Sequence, residues 1–202
     1  MLTIVFIIAA YLLGSVSFAV LMSNAFGLAD PRTYGSGNPG ATNVLRSGKK
    51  AAAALTLFGD AAKGWLAVWL SIKFCPADVM YTMLVASVAL AVFVGHLFPI
   101  FLKFKGGKGV ATALGVLLAL DIWVGLGALT TWLFMAAVFR YSSLSALTAS
   151  VSAPILAFLL DLPQAWVLAS GIMSLLLIWR HKSNIQNLLA GKETKIGSKK
   201  TG

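Results

Sequence analysis

The sequence predicts an all-α integral membrane protein. It is expected to have about seven transmembrane helices, one of them short, with the N-terminus outside and the C-terminus in the cytoplasm. Three observations point there. Of the 202 residues, 59% are hydrophobic and only 11% are charged, too few polar groups for the surface of a soluble domain. Apolar runs close to the ~20 residues that cross a bilayer recur along the chain. The cations gather in short clusters between those runs, as they do in loops that stay on the cytoplasmic side.

The elements follow in chain order. Leu2–Ala25 has no basic segment before it and no small-x-small site to end it, so it is expected as a retained span rather than a cleaved signal peptide. Ala51–Phe74, Met80–Leu102, Ile122–Phe139, Leu144–Leu160 and Gln164–Trp179 are each long enough to cross. Val110–Leu120 is the short seventh, partial or strongly tilted. These runs are apolar all round, so they are assigned by length rather than by periodicity. Residues 1–192 read as one polytopic domain, and 193–202, ETKIGSKKTG, as a flexible cytoplasmic tail.

Charge fixes the expected orientation. If all seven runs cross and the N-terminus is outside, 14 of the 16 cations fall on one side, among them Arg32, Arg46, Lys108, Arg140, Arg180, Lys199 and Lys200. Asp78, Asp121 and Asp161 fall on the other. If Val110–Leu120 did not cross, Arg140 and the basic C-terminus would be outside, against the positive-inside bias. The net charge of +10 does not indicate nucleic acid, because no basic face exists on a soluble fold. The single cysteine, Cys75, excludes an internal disulfide framework.

This sorting brings four loops to the cytoplasmic face: Asp30–Lys50, Phe101–Thr112, Arg140–Ser143 and Arg180–Asn184. The first contains YGSGNPGATNVLRSGKK, whose Gly35, Gly37 and Gly40 spell G-x-G-x-x-G. A dinucleotide site needs a strand before that motif and a crossover helix after it, and here a membrane span precedes it. The glycines instead suit a nest of backbone N–H groups, with Ser36, Asn38, Thr42 and Asn43 as side-chain donors and Arg46 as a fork for phosphate. The competing reading is an ordinary interfacial loop whose cations hold lipid headgroups. In the second loop Gly106, Gly107 and Gly109 surround Lys108 just before a helix start. That combination favours an anion, whereas Lys103 and Lys105 are also explained by anchoring. FKGGKG is not a Walker A motif, since Leu102 stands where its first glycine belongs.

In the third cluster Arg180 and Lys182 suit anchoring of Trp179 at the interface. His181 and Asn184 share a face if the helix continues; His181 alone reads equally as a structural interfacial histidine. Asp60 and Lys63 lie three apart inside a span and form either a functional intramembrane pair or a clasp between helices. His96, near Pro99, reads as a structural donor close to a helix end. The chain has no G-x-S-x-G elbow, no His/Cys cluster for zinc and no acidic pair on the cytoplasmic face, so no metal or cofactor is expected. Such a site, rich in phosphate donors and poor in protein nucleophiles, suits a reaction whose nucleophile and leaving group both come from substrates.

GSGNPGATNVLRSGKK, DAAKG, GHLFPIFLKFKGGKGVAT, RYSSLSA and RHKSNIQNLLAGKE, in this order, resemble the bacterial acyl-phosphate:glycerol-3-phosphate acyltransferase family of the PlsY type, over essentially the whole chain. The resemblance implies a multi-pass enzyme of the bacterial inner membrane with its active site on the cytoplasmic face. It implies transfer of a fatty acyl group from acyl phosphate to the 1-hydroxyl of glycerol 3-phosphate, giving lysophosphatidic acid and phosphate, among membrane lipid as surroundings. It places Ser36, Asn43, Arg46, Lys108 and Ser143 at phosphate-bearing substrates and has His181 and Asn184 orient substrate. Together with the loops read above, the expected phosphate-binding set is Ser36, Gly37, Asn38, Thr42, Asn43, Arg46, Lys105, Gly106, Gly107, Lys108 and Ser143, and the expected catalytic set His181, Asn184 and Lys108. Glu193 fits the end of the third motif, whereas Asn187 stands where members often carry a basic residue. The rival readings are a transporter of a phosphorylated metabolite, which predicts a midplane site and inverted repeats, and a non-catalytic lipid-binding anchor.

Overall fold

The computed structural model describes residues 2–75 and 80–197; Asp78, Lys199 and Lys200 of the charge argument lie outside them. The described chain is helical throughout: α1 (Leu2–Ser15), α2 (Phe18–Ala25), α3 (Ala41–Leu45), α4 (Lys50–Phe74), α5 (Tyr81–Leu97), α6 (Val110–Leu120), α7 (Ile122–Phe139), α8 (Ser142–Leu159), α9 (Gln164–Arg180) and α10 (Lys182–Leu189). Among the described residues three stretches, Tyr81–Leu102, Ile122–Phe139 and Ser142–Leu159, are long and apolar enough to cross a membrane. The pair α1 and α2 makes a fourth if counted as one bent span.

Two expected spans are interrupted, for local reasons. The first is bent by 42° between Ser15 and Phe18. There Ser17 caps α2 by accepting from the Val20 N–H, and the Val16 carbonyl accepts from Lys63 rather than from the helix. The third runs to Leu102 but changes helix type on the way. Pro99 has no N–H to donate and pushes Phe98 out of the helical region, so α5 stops at Leu97 and a 3₁₀ turn follows at Ile100–Leu102. The loop Asp30–Lys50, expected to be irregular, contains the short α3. The short run Val110–Leu120 is a helix over those same residues, ended by Asp121, whose carboxylate caps α7 through the Trp123 and Val124 N–H groups.

α5 is the centre of the bundle. Val85, Val88, Val92, Phe93 and Leu97 are fully buried against α1, α4 and α9. α4 packs along α6, and α7 on α8. Close approach depends on small residues. A Cβ on Gly64 or Gly115 would strike the carbonyl of Thr112 or Ala61, so the α4 and α6 backbones touch there. Outside this core, large apolar side chains face outward: Phe58 and Phe158 are 72% exposed and Leu175 is 69% exposed. Apolar surface spread over every long helix marks a molecule whose solvent is lipid.

The start of the predicted tail is hydrogen-bonded to the bundle at Ile196. The Ile196 N–H donates to the Arg140 carbonyl at 2.6 Å, and the Arg140 guanidinium donates back to the Ile196 carbonyl at 3.0 Å. These bonds lay the segment across the start of α8, where Lys195 stands over the Tyr141 ring.

Candidate active site

α4, α6 and α8 begin, and α2, α5, α7 and α9 end, at the same end of the bundle. The four polar loops meet there. Thr42 Oγ1 lies 3.3 Å from Ser142 Oγ, Lys108 Nζ donates to Asn184 Oδ1, and Ser143 Oγ donates to Glu193 Oε1 at 2.6 Å. Between them opens a cleft of about 330 Å³, lined by Ser36, Gly37 and Asn38 on one side and Gly106, Lys108 and Arg180 on the other.

The first wall is shaped by Asn43. It is buried, and its amide donates to the Pro31 and Tyr34 carbonyls at 2.6 and 3.2 Å. Its Oδ1 accepts from the Ser36 N–H at 3.0 Å and from Arg46 at 3.3 Å. Two donors and two acceptor sites are thereby used, so the phosphate contact expected of Asn43 is not open to its side chain. It holds the loop instead. Gly35 adopts φ +61°, and a Cβ there would collide with Asn43 Oδ1. Ser36 and Gly37 are exposed at the cleft. Arg46 is also exposed, with one nitrogen on Asn43 and the remaining N–H groups of its fork uncommitted to that bond.

The opposite wall is the glycine segment. Arg180 donates to the Gly106 carbonyl at 2.7 Å and to the Gly107 carbonyl at 3.2 Å. The Gly107 N–H donates to the His96 carbonyl at 3.2 Å, so it is committed inside the protein rather than offered to the cleft. Both glycines are buried against His96. Lys105 is exposed and does not line the cleft.

Lys108 follows. Burial, foremost, lowers its ammonium below the ordinary lysine range; Glu193 opposes this, and the charges of Arg180 and Arg46 add to it. Asn184 is fixed on both sides, accepting from Lys108 and donating to Glu193 at 2.7 Å. Ser143 is buried with its hydroxyl hydrogen on the same carboxylate, so Glu193 ties α8, α10 and the lysine into one network.

His181 sits at the break between α9 and α10, 3% exposed. Its Nδ1 faces the Leu177 carbonyl at 2.8 Å. A carbonyl only accepts, so Nδ1 carries the proton and Nε2 is the free nitrogen. Burial pushes the imidazole down to about 4, helped by Lys108 and Arg180 and opposed by the Leu177 carbonyl and Glu193. His181 is therefore neutral at physiological pH.

Asp60 and Lys63 are buried behind the glycine segment rather than in the cleft, with Lys63 Nζ 2.8 Å from Asp60 Oδ1. Sequence reasoning missed that His96 joins them, its Nδ1 3.6 Å from the same oxygen. It also assigned Arg180 to anchoring, where the structure has it gripping the glycine segment. The only signal for Arg180 was its place beside His181.

A helical bundle sheathed in apolar side chains, with a cationic cleft at one end, defines an integral membrane protein with a polar site at its surface. Comparison with known proteins gives the family. Residues 4–191 match the profile described as glycerol-3-phosphate acyltransferase, and the chain belongs to that family. It is 62% identical over 201 residues to the glycerol-3-phosphate acyltransferase of Ralstonia nicotianae, covering 98% of this chain and 96% of that one. It is 61% identical to that of Janthinobacterium sp. strain Marseille, covering 98% of each. Among solved structures it resembles PlsY (YgiH), described as an integral membrane glycerol 3-phosphate acyltransferase. The TM-score is 0.91 with 38% identity to the glycerol 3-phosphate form, over 98% of this chain and 96% of that one. For the lysophosphatidic acid form the TM-score is 0.90 with 36% identity over the same shares.

Proposed function

We propose that this protein transfers a fatty acyl group from acyl phosphate to the 1-hydroxyl of glycerol 3-phosphate, releasing lysophosphatidic acid and inorganic phosphate. The observation that carries this reading is the cleft, where Lys108 and Arg180 face the Ser36–Asn38 loop with Arg46 close by. Two phosphate-bearing substrates call for two cationic walls. The solved relative is described in glycerol 3-phosphate and lysophosphatidic acid forms, an acceptor and a product of this reaction.

The chemistry needs little from the protein beyond placement. The glycerol oxygen attacks the acyl carbon, the bond from that carbon to the phosphate oxygen breaks, and the hydroxyl proton moves to a phosphate oxygen of the departing group. The donor is an activated anhydride, so no acyl-enzyme is required. Proximity and charge neutralisation by Lys108 and Arg46 supply much of the rate. Ser36, Gly37, Asn38 and Gly106 border the bound phosphates. His181 and Asn184 orient the reactants, with Asn43, Thr42 and Ser143 holding the loops that carry the contacts.

The same reading sets the protein in a bacterial inner membrane with seven crossings, counting α1 and α2 as one and α6 as short. The N-terminus is outside, and the cleft and C-terminus are cytoplasmic, where both charged substrates reside. α6 is 11 residues long, about 16 Å at 1.5 Å per residue. That is too short for a ~30 Å core, and it fits a start below the interface because the preceding segment 98–109 folds back into the bundle.

A transporter of a phosphorylated metabolite is the reading to test against. Proteoliposomes given labelled glycerol 3-phosphate and an acyl phosphate should accumulate labelled lysophosphatidic acid in the bilayer, and an acyl thioester should not replace the acyl phosphate. Label that enters the lumen as unchanged glycerol 3-phosphate, without lipid product, would establish transport instead.

A further inference from the structure

The buried cluster behind the cleft has more contacts than a clasp between helices needs. Lys63 Nζ donates to the Val16 carbonyl at 2.6 Å, in the break of the first span, and meets Asp60 Oδ1 at 2.8 Å as an ion pair. His96 Nδ1 stands 3.6 Å from that oxygen. All three residues are at most 8% exposed. The far side of the imidazole ends at Gly107. A Cβ there would overlap His96 Nε2, and one on Gly106 would overlap the His96 carbonyl oxygen. From the other direction Arg180 pulls on both glycine carbonyls. The segment that leads into Lys108 is thus gripped between Arg180 above and His96 below, and His96 is seated on Asp60 and Lys63.

Stability alone does not account for two opposite charges in this place. Replacing a buried ion pair by neutral groups of similar volume is often neutral or stabilising. The helices concerned are already joined by backbone contacts, α4 to α6 at Gly64 and Gly115, and α1 to α5 at Gly14 and Gly95. What those contacts do not provide is a fixed floor under Gly106 and Gly107.

We infer that Asp60, Lys63 and His96 are positioning residues that hold the Gly106–Lys108 segment in register with the phosphate cleft. The inference rests on the reading of that cleft as the phosphate-binding site. Charge-assisted hydrogen bonds to an anion weaken steeply as distance and angle depart from the ideal, so loosening this floor should be felt in phosphate affinity.

Two variants test it. Asp60→Asn with Lys63→Met in one chain removes both charges and leaves neither unpaired. His96→Asn keeps an amide near the Nδ1 position but withdraws the ring from Gly107. Each is purified in detergent and melted. Each is then titrated calorimetrically with inorganic phosphate and assayed for its KM towards glycerol 3-phosphate. The expected result is a melting temperature close to wild type, with phosphate affinity at least about tenfold weaker, the loss of one charge-assisted hydrogen bond, and KM raised in step. A smaller loss of phosphate affinity in either folded variant overturns the inference. So does failure of both to fold, since the cluster would then hold the whole bundle rather than the segment. If wild-type protein binds phosphate but transfers no acyl group, the proposed function fails while the phosphate comparison still scores the positioning role.

Discussion

Asn43 spends its whole hydrogen-bonding capacity on its own loop, whereas Lys108 lines the cleft; the two divide the work of the proposed phosphate site. Burial penalises the Lys108 ammonium but strengthens its hydrogen bonds to an anionic partner. Hydrogen bonds to charged groups are worth roughly 1.5–3 kcal/mol, so Lys108→Ala should lower kcat/KM by at least about tenfold at 1.36 kcal/mol per decade. Helical content should be unchanged. His181 separates two proton-transfer schemes. Its imidazole is held at about 4, so it charges only when the pH falls through that value. A phosphate monoester has its second pKa near ~6. If the donor phosphate takes the hydroxyl proton, the dianion must be present, and activity falls as pH drops through roughly 6. That acidic limb should persist in His181→Gln, which keeps hydrogen bonding without titrating. A limb near 4 that vanishes with His181→Gln makes His181 the base.

At the scale of elements, the glycine contact between α4 and α6 sets the path from the membrane-spanning core to the cleft. A Cβ on Gly115 would collide with the Ala61 carbonyl oxygen and come within 3.0 Å of the Trp65 nitrogen. Both are backbone, so the helices must part. Gly115→Ala should cost about 1–3 kcal/mol and lower the melting temperature measured in detergent. Gly171→Ala, in open space on α9, should not lower it. The elements themselves were largely legible. Val110–Leu120 is bounded by Gly109 and Asp121, and both ends are visible in the sequence. Pro99 marks where the α-helix of the third span stops, although the apolar span itself runs on to Leu102. The bend at Ser15–Phe18 was not legible, because the donor that takes up the Val16 carbonyl there, Lys63, lies 47 positions away. For the same reason Asp60–Lys63 was readable as a pair at helical spacing, while its link to His96 required the packing of α4 on α5. Glycine spacing predicts an anion-binding loop, but which N–H groups stay free depends on contacts such as Gly107 to His96.

At the scale of the whole molecule, the account requires one end of the bundle to face the cytoplasm. The four loops meet whichever way the protein is inserted, and charge decides the direction. Single cysteines placed at Ser47 and Lys192 in a Cys75→Ser background should resist a membrane-impermeant maleimide in intact cells, while one at Gln164 should label. Labelling at Ser47 or Lys192 contradicts the orientation. The reaction itself is tested most directly by incubating the purified protein with acyl phosphate and glycerol 3-phosphate, separately and together, and measuring phosphate and lysophosphatidic acid. The account predicts that the two products appear in equal amounts and only when both substrates are present. Phosphate release from acyl phosphate alone at the same rate, or no lysophosphatidic acid with both substrates, would contradict it.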